Sequence, residues 1–343
     1  MEWLLAIALF CSPLVGLYAP KKPDGWTTYR DRVLIIWVLS LLGWILFYQT
    51  AFGIIFALIA WRYRSSADLH GVVIWGFVFG IWMIVQMLSL QQYRIIITAI
   101  LLAATGQCLL GIVDFIVFLW KKHASGSADH LVFGTMGNRT YYGAYLAIVS
   151  PLAAREELWW LLVLLGIGVV VSMSRMAIPA YVIGVGIAWP TTLYVTVPIL
   201  GIAWMIVWKK LVYSAIMDGV RARMLVLRLL LHYTLKWPYW LIGHGYNTFH
   251  ETIFSWCTDH GTLEGYAHAH NDTAQVFYEY GVIGLIAVSF IIYLLYPNMA
   301  IGSTLTGSVV AIVVTSFTTF PNHIAPIGVT IVVIMSMLSR VSL

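Results

Sequence analysis

Apolar runs recur along nearly the whole chain, at or near the roughly 20 residues that let a helix cross the hydrocarbon core of a bilayer. Candidate spans are 3–19, 33–61, 72–90, 94–120, 139–154, 157–174, 177–188, 191–208, 272–296, 299–320 and 325–339, eleven in all. Residues 33–61 exceed one straight span, and a turn at Tyr48-Gln49-Thr50 gives twelve. A backbone in lipid must satisfy its own polar groups, so the expected fold is an all-α polytopic membrane protein. Composition agrees: 61% of the residues are apolar and 10% charged, where a soluble domain carries about a quarter. Mean hydropathy is +0.88. Residues 1–343 read as a single transmembrane domain.

Residues 3–19 look like a secretory leader at first sight. Glu2 stands where such a leader has a basic residue, and no small-x-small site follows, so the expectation is a retained first span. The net charge of +5 fits contact with anionic lipids or phosphates, and no feature points to nucleic acid. Cys11 and Cys108 lie in apolar runs and Cys257 stands in a polar one, which predicts no disulfide. Charge bias in the loops leaves orientation open. Lys21, Lys22, Arg30, Arg32, Arg94 and Arg155 fall on one side, and Arg62, Arg64, Lys121, Lys122, Lys209 and Lys210 on the other.

Two longer loops interrupt the apolar pattern, 121–138 and 209–271. In the second, hydropathy drops and cations gather: Arg221, Arg223, Arg228, His232, His244, His250, His260, His268 and His270. A polar, cation-rich segment held by apolar helices suggests chemistry on an anionic substrate at a membrane surface. Four stretches carry the candidate site.

Gly137-Asn138-Arg139-Thr140-Tyr141-Tyr142-Gly143 is a Gly-Asn turn running into an apolar helix, read on its own as a helix cap and an interfacial aromatic belt. Ser172-Met173-Ser174-Arg175 ends a span in an arginine, which either snorkels to the interface or holds a phosphate in bidentate fashion. On a helix over about 213–235, Arg221, Leu225, Arg228 and His232 share one face, while Arg223 points toward Leu227 and Leu230. Such a basic stripe suits an element lying in the interface, as a substrate clamp or as a lipid-headgroup anchor. In His268-Ala269-His270-Asn271-Asp272-Thr273, good N-cap types open the next helix. His270 precedes its positive end, which disfavours imidazolium and suits a general base. The histidines with Glu251, Asp259 or Glu264 form no strong metal-ligand spacing, so no metal or other cofactor is expected.

Taken in order, these stretches resemble the O-antigen ligase and O-antigen polymerase superfamily of bacterial membrane glycosyltransferases. The likeness covers roughly 134–284. Gly137-Asn138-Arg139-Thr140-Tyr141-Tyr142-Gly143 is similar to the family's Gly-Asn-x-x-Tyr-Phe-Gly turn, and Ser174-Arg175 to its Ser-Arg span terminus. Arg223 to Leu227 meets the ligase Arg-x3-Leu pattern, as does Arg221 to Leu225. Fifteen residues separate Arg223 from Pro238, just before Gly243-x-Gly245, which favours Arg223. His270-Asn271, nine residues, then Gly281-Val282-Ile283-Gly284 meets the pattern His-Asn/Ser/Gln-x9-Gly-x-x-Gly/Thr/Tyr in full. Leu227 stands where the family often has Trp, and Arg139-Thr140 where Pro-Asn is common.

The resemblance implies a GT-C-like fold in the bacterial inner membrane, with the 209–271 loop facing the periplasm. It implies an undecaprenyl-diphosphate-linked glycan donor, a glycan or lipid A-core acceptor, and metal-independent, inverting transfer. Arg175 and Arg223 would hold the diphosphate, with Arg221, Arg228, Arg139, Asn138 and Asn271 lining the substrate site, and His270 would activate the acceptor hydroxyl. Polymerase, ligase and protein-directed transfer all fit. A transporter or flippase of lipid-linked saccharides is the alternative; it needs charge within the membrane, where Asp114 is the main acidic candidate.

Overall fold

A computed structural model describes residues 80–82, 84–125, 134–136, 138–154, 158–174, 176–192, 194, 198, 201, 224, 226–245, 248–249, 271–317 and 325–340. All regular structure among them is helical: α1 (Leu90–Ser125), α2 (Arg139–Ala153), α3 (Trp159–Val171), α4 (Ala177–Ala188), the single turn α5 (Tyr239–Ile242), α6 (Asp272–Leu295), α7 (Thr304–Ser316) and α8 (Ala325–Arg340), with 3-10 turns at Pro190–Thr192 and Tyr296–Asn298. Helical residues also occupy 84–87 and 226–234.

The helix starts are written in the sequence. Before α1, the Ser89 amide donates to Gln92 Oε1 (2.6 Å) and the Gln92 amide to Ser89 Oγ (3.4 Å), a reciprocal capping box. Asn138 caps α2 by accepting from the Thr140 amide, and Ser303 caps α7 by accepting from Thr306. One of these four hydrogen bonds spans two residues and three span three, the reach of a short polar side chain at an N-cap.

Helix α2 is the centre. From Tyr142 to Ala153 every residue is buried, packed by α1, α3, α4 and α7, and a helix apolar all round belongs inside a bundle. Small residues allow the close approaches. A Cβ on Gly184 of α4 would stand 2.8 Å from the Gly307 carbonyl of α7, and one on Gly307 would collide with the Gly184 carbonyl. Backbone thus meets backbone, as in small-residue packing of membrane helices. Gly111 makes room for the Tyr142 ring, whose hydroxyl donates to the Cys108 carbonyl (3.3 Å).

Contacts between termini fix which helix ends lie together. The Gly302 amide donates to the Ile187 carbonyl at the end of α4 (2.7 Å), and Asn298 Nδ2 donates to the Leu338 carbonyl near the end of α8 (3.1 Å). Arg340 donates to the carbonyls of Gln86 and Leu88. That end therefore holds the C-termini of α4, α6 and α8. The other end holds the N-termini of α2 and α4 and the C-terminus of α3, because Gly143 abuts Ser172 and Ala177. Past its break at Gly281, α6 runs from residue 282 to 295, about 21 Å at 1.5 Å per residue.

Among the described residues, two helices, Leu90–Trp120 within α1 and Asp272–Asn298 through α6, are long and apolar enough to cross a membrane. Those at 159–171, 177–188 and 304–316 hold 13, 12 and 13 residues, short of the roughly 20 a full crossing takes. Of the eleven or twelve spans expected from sequence, two occur in this form among the described residues. The helix expected at 177–188 occurs with those bounds, whereas 299–320 shortens to 304–316 because Gly302, at φ +90°, and the Ser303 cap start it late. The spans expected at 3–19 and 33–61, the first part of that at 72–90 and most of that at 191–208 lie outside the described residues, as do Cys11 and Cys257.

Candidate functional site

The first two sequence stretches meet. Asn138 Oδ1 accepts from the Thr140 amide at 2.8 Å, so the Gly-Asn turn is a helix cap. The expected aromatic belt is corrected by burial: Tyr142 and Tyr145 turn inward to the core, bonded or packed there, and do not ring an interface. Gly143 lies against the Ser172 turn, where a Cβ would strike Ser172 Oγ and come within 3.0 Å of the Ala177 methyl. Ser172 Oγ donates to the Val169 carbonyl (2.5 Å) and accepts from the Ser174 amide (3.1 Å), while Met173 takes φ +53°. A side chain at positive φ is uncommon, so this turn is held by its surroundings. Arg139 is half-buried in the first turn of α2. Arg175 lies outside the described residues.

The last two stretches also meet. Asn271 caps α6, its Oδ1 accepting from the Ala274 amide at 2.9 Å, so the helix begins where the sequence places it. Nine residues on, α6 breaks at Gly281 (φ 64°, ψ −157°). Carbonyls near the break lose their partners along the helix, and the loop supplies replacements: the His244 amide donates to the Tyr278 carbonyl and the Gly245 amide to the Glu279 carbonyl, both at 2.9 Å. Only glycines allow this contact. A Cβ on Gly243 would collide with the Glu279 carbonyl, and one on Gly281 with the Leu241 carbonyl. Gly243-x-Gly245 and the α6 backbone from Tyr278 to Gly281 are thus two halves of one backbone lock.

The His244 ring stacks between Tyr239 (centroids 4.0 Å apart) and Tyr278 (4.4 Å). Its Nε2 is buried and makes no hydrogen bond. Burial pushes its pKa below the ordinary histidine value, against a backbone hydrogen bond to Tyr233 that raises it. Beneath it, Val226, Leu230, Phe249 and Tyr278 form a small apolar cluster. Arg228 and His232 fall on the exposed face of this helix, as their spacing requires, and Leu230 on the buried one. Arg221, Arg223 and His270 lie outside the described residues, as do His250, His260 and His268.

One set of polar residues escaped the sequence reading. Asp272, Gln275 and Glu279 are 4%, 3% and 3% exposed, and Gln275 Nε2 donates to Glu279 Oε1 at 2.9 Å. Their spacing of three and four residues places them on one face of α6, and that polar spacing in an apolar run was the available signal. Asp114, the acidic residue singled out from sequence, instead accepts the Gly134 amide (3.0 Å), and Gln107 bonds both the amide and the hydroxyl of Thr135. Together they pin the end of the 121–138 loop onto α1.

Set against known proteins, the chain matches no family model, no curated protein and no solved structure.

Proposed function

We propose that this protein is a membrane glycosyltransferase that moves a glycan from a polyprenyl diphosphate to an acceptor hydroxyl, of the O-antigen polymerase or ligase type, in the bacterial inner membrane with its site facing the periplasm. The observation that carries the reading is the lock between Gly243-x-Gly245 and the α6 break at Gly281, the first glycine of Gly281-x-x-Gly284. Two motifs that the family resemblance picks out separately lie in direct backbone contact, beside a helix that opens at Asn271. Leu230 adds support: it is buried against α6, and by spacing it shares the face of Arg223 rather than of Arg221.

In this reading the acceptor oxygen attacks the anomeric carbon, the bond from that carbon to the phosphate oxygen breaks, and the diphosphate departs with the electron pair. The acceptor proton passes to His270, kept neutral by the positive end of α6. Guanidinium groups of Arg175 and Arg223 take up the charge growing on the diphosphate. A lipid tail held among the spans fixes the reacting carbon at the interface and makes the step effectively unimolecular.

The test is purified protein with a synthetic undecaprenyl-diphosphate oligosaccharide, with and without lipid A-core. A product ladder from the donor alone means polymerase, product only with core means ligase, and no transfer in either arm refutes the proposal.

Glu279 gives a second reading its footing. A carboxylate buried within a membrane helix often marks an ion or substrate path, which suits a transporter or flippase of lipid-linked saccharides. Movement of the labelled donor across proteoliposomes without a new glycosidic bond would select it.

A further inference from the structure

The turn that forms the lock carries an outward surface that the proposed chemistry does not use. Leu235 is 64% exposed, Trp237 72% and Ile242 53%, with Leu231 and Trp240 also open, and the Trp237 and Trp240 rings lie 6.1 Å apart. Large apolar side chains displayed this openly mark an interaction surface. Cations are interleaved with them. Arg228, His232 and Lys236 are all exposed, and Lys236 Nζ lies 5.4 Å from the centre of the Tyr233 ring.

The lock fixes the level of this surface along α6. Leu241 and Gly243 abut Gly281, nine residues past the start of the helix, about 14 Å along its axis. Above that point α6 presents the buried polar face of Asp272, Gln275 and Glu279. Below it the helix turns exposed and apolar, through Ile283, Ile286, Val288 and Phe290. The aromatic turn therefore sits level with the place where α6 first offers an apolar surface outward. Tryptophan and tyrosine favour that boundary between headgroups and hydrocarbon, and exposed lysine and arginine beside them favour anionic headgroups.

We infer that residues 231–242 form an interfacial anchor: Leu235, Trp237, Trp240 and Ile242 dip into the leaflet on the side of the α6 N-terminus, with Arg228 and Lys236 against the headgroups of anionic phospholipids. The inference rests on α6 crossing the membrane and is independent of the transfer chemistry. Its consequence is mechanical. The anchor is joined through Gly243 and Gly245 to the backbone around Gly281, so the leaflet surface sets the height of the segment that opens α6.

The test uses full-length protein with Cys11, Cys108 and Cys257 replaced by Ala, spin-labelled singly as W237C, W240C, T273C or V288C. These four positions are exposed, so labels there leave the packed interior untouched. Each variant goes into nanodiscs of phosphatidylcholine alone or mixed with phosphatidylglycerol, and access of oxygen and of a water-soluble nickel chelate to the label is measured. In the mixed discs, positions 237 and 240 should show oxygen-to-nickel ratios between those of 273 and 288. Lys236→Gln should lower the inserted-to-exposed ratio about fivefold, the effect of one cation at an anionic surface. Nickel access at 237 and 240 as high as at 273 overturns the anchor, and protection of those sites by soluble oligosaccharide would make them a sugar platform instead. Identical depth in both lipid mixtures overturns the assignment to anionic headgroups. Water access at 288 as well refutes the spanning helix, and the anchor with it.

Discussion

The amide nitrogen of Gly243 lies 2.7 Å from where a Cβ on Gly281 would stand, so two glycines 38 residues apart hold a loop turn flat against a break in a helix. Gly281→Ala would meet both the strain of positive φ, about 1–2 kcal/mol, and collision with the Leu241 carbonyl. Gly302 has φ +90° and nothing within 4 Å, so Gly302→Ala meets the strain alone. Thermal unfolding in detergent should fall clearly further for Gly281→Ala, and transfer activity should drop at least about tenfold with that variant only, a 1.4 kcal/mol effect on the barrier. Equal losses from the two substitutions would show that close approach is unimportant.

His244 gives a pH dependence with a definite sign. Stacked and desolvated, it takes up a proton at lower pH in the folded protein than in the unfolded chain, where the ordinary value is 6.5. The unfolded state binds the extra proton as pH falls, so this contribution to stability is complete above about 6.5 and is lost toward the folded value. His244→Phe keeps an aromatic ring between Tyr239 and Tyr278 and removes the titration. Melting temperature should fall from pH 7.5 to pH 5.5 more steeply in the wild type than in the variant; parallel slopes would dissociate His244 from the effect.

The Gln275–Glu279 pair predicts a contrast between two substitutions at one site. Glu279→Gln keeps an acceptor for the Gln275 amide. Glu279→Ala removes it and leaves a buried donor without that bond, at a cost of about 1–3 kcal/mol. Denaturation midpoints should therefore rank wild type, then Glu279→Gln, then Glu279→Ala. The reverse order of the two variants would mean the carboxylate is tolerated at a loss, as in a site kept for ion passage.

How much of this was legible in advance depended on the range of the signal. Caps at Asn138 and Asn271 are local, and each accepts from an amide two or three residues on, so the sequence located both. Bounds of α4 were legible for the same reason: an apolar run stops at Trp189-Pro190. Burial of Tyr142 was not legible, because the space for its ring comes from Gly111, a helix away. Nor was the role of Asp114, whose partner is a loop amide 20 residues on. The lock joins two glycine motifs that the sequence displayed separately; their contact is a tertiary fact. Among the described residues two of the expected spans form helices of crossing length, while the apolar runs at 159–171 and 177–188 form shorter ones, because apolar runs packed inside a bundle look like lipid-facing ones in sequence.

Arginine substitutions order the proposed donor contacts. Arg223→Ala and Arg175→Ala should each weaken donor use by about ten- to hundredfold in kcat/KM, the loss of a charge-assisted hydrogen bond of about 1.5–3 kcal/mol. Arg221→Ala should matter less, and EDTA should leave activity intact. A larger effect from Arg221 would reassign the clamp, and loss in EDTA restored by a divalent ion would require a metal.

The most direct measurement is transfer from a labelled undecaprenyl-diphosphate oligosaccharide by wild type and His270→Ala, each purified from the membrane in equal amount. The account predicts product from the wild type and none above background from the variant, with donor binding retained. Product from His270→Ala at the wild-type rate would contradict it.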